Sequence, residues 1–164
     1  MTQHVFLHAS AVYWQGCGIL MTGPSGTGKS DLALRLLYEK QAQLVTDDGC
    51  ELFIEKEQPF MRAAGTLAGY LEVRGMGVIQ VPPSAQISSC ALTFVLDLKP
   101  YEQISRLPES ELFKPFEVPV YALDPFEVSA LAKISALVDV HHQRASFYPQ
   151  DLLLDSPKQA AQHL

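Results

Sequence analysis

The sequence predicts an α/β fold with a mixed, strand-rich sheet and one helix that follows a glycine-rich loop. Short β-prone segments recur along most of the chain, and residues 23–30 spell G-x-x-x-x-G-K-S between a strand and a helix. So many short strands predict more antiparallel pairing than a doubly wound nucleotide fold has. With 48% hydrophobic and 18% charged residues, the chain has the composition of a globular protein.

The first elements surround the loop. Residues 5–14 are β-prone, and the Gln15-Gly16 pair is a turn signal. Residues 18–22 predict a buried strand that enters the glycine-rich loop, and the apolar spacing of residues 31–38 predicts the helix that leaves it. Residues 43–46 predict the next short strand.

The middle of the chain continues with strands. Residues 51–55 and 60–64 predict a hairpin, and residues 77–81 predict a strand that stops before two prolines. Between them, residues 66–75 have no clean hydrophobic period, so we expect a short helical turn there.

The last part of the chain begins with its clearest strand. Residues 90–98 predict one buried strand, and residues 99–119 form a polar connector marked by prolines. Residues 120–123 predict a final strand, and apolar spacing over 126–143 predicts an amphipathic helix.

The length of 164 residues predicts one domain. We place that domain at residues 1–148 and expect residues 149–164, which contain two prolines, to form a flexible C-terminal tail.

Composition excludes several classes of protein. A net charge of −6 with scattered basic residues argues against a nucleic-acid binder. No apolar run reaches the roughly 18 residues that a membrane span needs, and the first residues lack the basic segment of a signal peptide. Cys17, Cys50 and Cys90 lie far apart, as reduced thiols do. We therefore expect a cytoplasmic protein without a membrane partner.

The glycine-rich loop is a Walker A motif, or P-loop. Its backbone N–H groups can converge on phosphate oxygens at the positive end of the following helix. Lys29 can reach the β- and γ-phosphates, and the Ser30 hydroxyl can ligate Mg²⁺. The motif predicts a nucleoside triphosphate site formed by Gly23, Pro24, Ser25, Gly26, Thr27, Gly28, Lys29 and Ser30.

Several other residues are candidates for the metal site and the catalytic base. Asp47 and Asp48 follow a predicted strand, and neighbouring side chains on a strand point to opposite faces. One of them can therefore face a metal while the other faces a substrate. Asp97 ends a buried strand in a weak Walker B pattern, and Glu72 is a further carboxylate. His8 lies in an apolar strand pattern, where a core histidine is more common than a catalytic one.

Taken in order, these signals resemble the bacterial HPr kinase/phosphorylase family. So few residues precede His8 that the resemblance is to the short form, which consists of the catalytic domain only. This resemblance implies a P-loop kinase domain of the HPr kinase and phosphoenolpyruvate carboxykinase type. The stretches that carry it are Leu7-His8-Ala9, Gly23 to Ser30, Leu44-Val45-Thr46-Asp47-Asp48, Leu71-Glu72-Val73-Arg74-Gly75-Met76-Gly77 and Leu123-Asp124-Pro125-Phe126-Glu127.

The resemblance implies a role for each matching residue. Lys29 would bind the β- and γ-phosphates of ATP. The Mg²⁺ ligands would be Ser30 and Glu72, supported by Asp47. Asp48 would be the base that takes the proton of the acceptor serine.

The remaining matches are a histidine and two arginines. His8 would lie beside the phosphates, Arg74 belongs to the Leu-Glu-Val-Arg-Gly signature, and Arg106 would neutralise charge during transfer.

The activity implied by the resemblance is that of an ATP- and Mg²⁺-dependent serine kinase. Its substrate would be HPr, the phosphocarrier of the sugar phosphotransferase system, and the kinase would regulate carbohydrate metabolism as a homo-oligomer, with a hexamer as the expected form. The family's arginine-containing Val-Pro-Val-Arg-Pro-Gly-Arg stretch, tied to dephosphorylation, is matched here by Val118 to Pro125 without arginine. We therefore expect the kinase activity and not the phosphorylase activity.

Two alternatives remain open from the residues themselves. One is a P-loop kinase of a small hydroxylated metabolite, and the other is an ATP-binding regulator that transfers no phosphate.

Overall fold

The computed structural model describes residues 3–66, 68–107 and 110–147. These residues form two α-helices, α1 (Lys29–Lys40) and α2 (Ala130–His141). The strands of the described residues are β1 (His4–Leu7), β2 (Ser10–Trp14), β3 (Cys17–Thr22), β4 (Gln43–Thr46), β5 (Cys50–Glu55), β6 (Gln58–Ala63), β7 (Tyr70–Val73), β8 (Gly77–Gln80), β9 (Ser89–Ala91), β10 (Phe94–Leu98), β11 (Glu111–Phe113) and β12 (Val118–Leu123).

The largest sheet in the described residues has six strands in the order β11-β12-β10-β3-β2-β4. β3, β10 and β12 run parallel, whereas β2, β4 and β11 pair antiparallel with their neighbours. The sheet is therefore mixed, and the predicted strand-rich α/β class is confirmed. Its parallel strands all end at the edge where β3 runs into the P-loop.

A second sheet, of order β1-β5-β6-β9, packs against the first through a shared hydrophobic core. Leu20 and Val95 from the six-stranded sheet join Leu52 and Met61 from the four-stranded one in this core. Residues alternate between the two faces of a strand. The other face of the six-stranded sheet is free for α1, which packs on β2 and β4 and buries Leu32, Leu36 and Leu37.

Two predicted β-segments are each divided between the two sheets. The β-prone residues 5–14 form β1 in one sheet and β2 in the other. The prediction of one strand over residues 90–98 is wrong, because these residues are divided between β9 and β10. The reason is a change of partner: the Leu92 N–H donates to Pro59 O at 2.8 Å, and the Thr93 N–H donates to Gly18 O at 2.8 Å.

The predicted helical turn at residues 66–75 is also wrong. β7 and β8 form an antiparallel hairpin, in which Leu71 and Val73 are buried while Glu72 is exposed. This is the two-residue period of a strand, and it was obscured because the strand is only four residues long. The connector predicted over residues 99–119 contains a further short strand, β11, which pairs with β12.

Contacts among the described residues form two compact units, with the boundary between Leu131 and Ala132. α2 confirms the predicted C-terminal helix and buries Ile134 and Val138, and Asp139 near its end forms an ion pair with Arg144. The single domain over residues 1–148 stays a prediction, and residues 149–164 lie outside the described residues. No helix in the described part of the chain is long and apolar enough to cross a membrane.

Candidate active site

The P-loop connects β3 to α1. Gly28 is the N-cap of α1, with a φ of 94°, and the first helical hydrogen bond runs from the Leu32 N–H to Gly28 O at 2.9 Å. The N–H groups of the first turn therefore stay available at the loop. The Lys29 ammonium folds back and donates to Gly23 O at 2.6 Å and to Pro24 O at 3.0 Å. This arrangement places a positive charge against the loop that would hold phosphates.

Gly28 is required by its surroundings as well as by its positive φ. A Cβ at this position would lie 2.8 Å from Cζ of Phe126 and 2.9 Å from Cγ of Pro125. Any larger residue would therefore clash with the segment that follows β12.

Asp47 is the buried carboxylate of the site, with 7% of its surface exposed. Its Oδ1 accepts hydrogen bonds from the Ser30 hydroxyl at 2.7 Å and from the Ser10 hydroxyl at 3.0 Å. Its Oδ2 accepts a hydrogen bond from the backbone N–H of Glu72 at 2.9 Å. This one side chain therefore connects the P-loop helix, β2 and β7.

The Asp47 and Ser30 pair fits a magnesium site of the P-loop type. Mg²⁺ usually keeps several waters and takes one or two carboxylates together with substrate phosphates. Within the described residues, no three His, Cys, Asp or Glu side chains are arranged to hold a metal by themselves. The Glu72 side chain is exposed, and only its backbone is seen to bond Asp47, so its metal role stays a prediction.

Asp48 and His8 lie on the exposed side of the same region. Asp48 follows the buried Asp47 and is exposed, as a group that meets a substrate must be. His8 is exposed between β1 and β2, so it is not a core histidine. Two residues after His8, Ser10 pairs with Met21 near the end of β3. His8 therefore belongs to the P-loop edge of the sheet, and its catalytic role, like that of Asp48, stays a prediction.

Asp97 is engaged elsewhere. Its Oδ2 lies 2.6 Å from the Lys99 ammonium, and this hydrogen bond raises the pKa of Lys99. The carboxylate that bonds the P-loop serine is Asp47, so the Walker B pattern around Asp97 does not mark the partner of Ser30.

The two predicted arginines are both exposed. Arg74 lies in the turn between β7 and β8, and Arg106 lies between β10 and β11, next to residues 108–109 that are not described. Among the hydrogen bonds found in the described ranges, none joins either arginine to another predicted site residue. Their roles stay predictions.

Sequence reasoning missed two contributors to the site. Ser10 is a buried hydroxyl in an apolar strand, and this mismatch was the signal that could have identified it. Arg35 donates from Nε to Asp31 Oδ2 at 3.0 Å and from Nη2 to Pro125 O. The spacing of four residues predicts the first contact, but only the fold reveals the second.

Comparison with known proteins identifies relatives of this chain. The chain is 36% identical over 103 residues to the HPr kinase/phosphorylase of Mycoplasmopsis pulmonis, a match that covers 60% of this chain and 33% of that protein. It is 42% identical over 83 residues to the HPr kinase/phosphorylase of Clostridium beijerinckii, covering 51% and 27% respectively. The chain thus spans about a third or less of the length of these curated relatives.

A solved structure and a family model extend the comparison. The HPr(Ser) kinase/phosphatase from Coxiella burnetii superposes with a TM-score of 0.74 at 26% identity, over 85% of this chain and 97% of that one. The family model of the HPr Serine kinase C-terminal domain matches residues 1–120, well over half of the chain. This chain therefore belongs to the family of HPr serine kinase C-terminal domains.

Proposed function

We propose that this chain is the catalytic part of an ATP- and Mg²⁺-dependent kinase that phosphorylates a serine of HPr. The observation that carries the proposal is the hydrogen bond between Ser30 of the P-loop and the buried Asp47, with the exposed Asp48 beside it. A buried carboxylate that accepts a hydrogen bond from the P-loop serine suits a metal-nucleotide site. An exposed carboxylate next to it suits a base that takes a proton from a protein hydroxyl. The names of the relatives supply the substrate.

The transfer would proceed by attack of the HPr serine oxygen on the γ-phosphorus of ATP. The serine O–P bond forms, the bond from phosphorus to the β,γ-bridging oxygen breaks, and the serine proton passes to Asp48. Lys29 stabilises the negative charge that develops on the phosphates. Mg²⁺, held by Asp47, Ser30 and Glu72, would supply further charge neutralisation when bound.

The other predicted residues have secondary roles in this proposal. His8 would hydrogen bond the phosphates from the β1–β2 connection, and Arg106 would neutralise charge during transfer. Arg74, in the turn of the hairpin that carries Glu72, would act as part of the same signature.

We also propose the setting in which this activity operates. The enzyme would be a cytoplasmic homo-oligomer, with a hexamer as the expected form, and residues 1–148 would be its catalytic domain. HPr phosphorylation would link it to regulation of the sugar phosphotransferase system. Because the Val118–Leu123 strand carries no arginine, we do not expect phosphorylase activity.

The test is the intact mass of HPr after incubation with this protein, ATP and Mg²⁺. We expect a gain of one phosphate, lost with Asp48→Asn and with Lys29→Ala. ATP binding by Asp48→Asn should be retained, because Asp48 acts on the acceptor rather than on the nucleotide. Unmodified HPr together with normal ATP binding by the wild type would refute the HPr kinase. A metabolite kinase or a nucleotide sensor would then be the better interpretation.

A further inference from the structure

An exposed aromatic side chain lies directly on the P-loop. The Phe126 ring packs against Gly28, with its Cζ 2.8 Å from the position that a Cβ there would take. Nevertheless, 65% of the Phe126 surface is exposed. An exposed ring beside a nucleotide site offers a flat apolar face on which a base can stack.

The segment that carries Phe126 is held firmly in place. The Phe126 N–H donates to Asp124 Oδ1 at 2.9 Å, and the Tyr101 N–H donates to Asp124 Oδ2 at 3.1 Å. Pro125 O accepts a hydrogen bond from Arg35 of α1. One hydrogen bond within the segment and two from other parts of the chain thus fix it, so the ring is positioned before any ligand arrives and little ordering entropy is lost on binding.

The position of this segment relative to the phosphates is also informative. β12, β10 and β3 are parallel neighbours, so the segment after β12 lies at the same sheet edge as the P-loop. Arg35 joins it to Asp31, which lies in the first turn of α1. A P-loop directs its lysine toward the γ-phosphate and its backbone N–H groups toward the α- and β-phosphates. Phe126 lies beside Gly28 at the start of the helix, so a nucleoside that leaves the phosphates on this side meets its ring.

We propose that Phe126 is the stacking platform for the nucleobase of ATP, with Asp124 and Arg35 as its positioning residues. This inference rests on the proposed function, because it assumes that the P-loop binds a nucleotide. The phosphates are bound by the P-loop and the site residues proposed above, whereas affinity for the base depends on the ring.

The test compares two ligands that share a phosphate chain and differ in the base. Binding of MgATP and of Mg²⁺ with inorganic tripolyphosphate is measured by calorimetry for the wild type and for Phe126→Ala. Phe126→Leu removes the aromatic face while keeping apolar bulk, Phe126→Trp restores a face, and Val128→Ala changes a fully exposed neighbour as a control. Circular dichroism checks that each variant is folded.

We expect Phe126→Ala and Phe126→Leu to weaken MgATP binding by about 5- to 100-fold, the usual effect of losing one stacked base. Tripolyphosphate binding should change less than about twofold, and Val128→Ala should bind both ligands normally. Phe126→Trp should keep its affinity for ATP, and the emission of the added tryptophan should change with ATP and not with tripolyphosphate. That spectroscopic result stands even if the alanine variant does not fold.

Three results would overturn the inference. An equal loss of affinity for both ligands in Phe126→Ala would mean that the ring only supports the structure of the P-loop. Unchanged ATP binding with impaired transfer to HPr would make Phe126 a contact for the protein substrate. A wild type that binds tripolyphosphate as tightly as ATP would show that the base is not held, while leaving the phosphate site intact. If the wild type binds neither ligand, the proposed function itself fails and this inference fails with it.

Discussion

Asp47 accepts a hydrogen bond from Ser30 although the two residues follow strands that are not neighbours. Ser30 lies at the start of α1, which follows β3 through the P-loop. Asp47 lies just after β4, and β2 runs between β3 and β4. Ser10 of β2 donates to the same carboxylate oxygen at 3.0 Å. The buried carboxylate of the site thus comes from the antiparallel side of the sheet, whereas Asp97 on the parallel neighbour β10 pairs with Lys99.

The first prediction separates the two adjacent aspartates. Asp47→Asn removes the buried charge beside Ser30, so the affinity for MgATP should fall by about 10- to 100-fold. Asp48→Asn should bind MgATP within about twofold of the wild type and lose about 10²- to 10⁴-fold in kcat, because it removes a base. Calorimetry and phosphate transfer to HPr measure the two effects. Equal effects of both substitutions on ATP affinity would contradict this division of roles.

The second prediction concerns the close approach at Gly28. Gly26 and Gly28 both have positive φ, at 83° and 94°, but only a Cβ at Gly28 would meet other atoms within 4 Å. Gly26→Ala should cost about 1–2 kcal/mol of unfolding free energy through backbone strain. Gly28→Ala should cost about 1–3 kcal/mol more, because the added methyl clashes with Pro125 and Phe126. Urea unfolding measures the free energy of unfolding of both variants. An equal loss of stability in the two variants would show that the structure relieves the clash at Gly28 without cost.

The third prediction is a pH dependence at the four-stranded sheet. Hydrogen bonds from Arg62, at 2.5 Å, and from His4, at 2.6 Å, lower the pKa of the buried Glu51 below its ordinary 4.5. A lowered pKa gives stability that is present above about pH 4.5 and is lost as pH falls through the folded-state pKa. Glu51→Gln should therefore be less stable than the wild type near pH 7, with a difference that shrinks in acid.

Urea unfolding at a series of pH values from about 7 to about 3 tests this dependence. Glu55→Gln, at the exposed end of the same strand, is the matched control and should show no comparable trend. A difference between Glu51→Gln and the wild type that stays constant across the series would exclude the ionic origin.

The fourth prediction concerns the thiols. Burial raises the pKa of Cys50 and of Cys90 to about 12, so at pH 8 only about one thiol in 10⁴ is ionised. Cys17 is buried as well. Because the thiolate is the reactive form, Ellman's reagent should label the folded protein at least about 100-fold more slowly than the protein in urea. Rapid labelling of Cys50 or Cys90 under native conditions would contradict this prediction.

The sequence alone determined the parts of the protein that depend on local spacing. The P-loop with its preceding strand and following helix could be predicted because glycine conformation, strand burial and helical period are all short-range properties. The hairpin of β5 and β6 was predictable for the same reason. The strand-rich α/β class followed from the number of such segments.

Tertiary structure decided which segments pair and which charges are buried. The divisions of residues 5–14 and 90–98 arise from hydrogen bonds to partners far along the chain, which an apolar run does not specify. Asp47 and Asp48 are equivalent in sequence, and only the packing of β2, β7 and α1 around Asp47 distinguishes the buried carboxylate from the exposed one. Phe126 and Gly28 are 98 positions apart in the sequence, so their contact depends on the order of β3, β10 and β12 in the sheet. Long-range contacts of this kind have no local sequence signal, because their free energy is gained only once the whole sheet has formed.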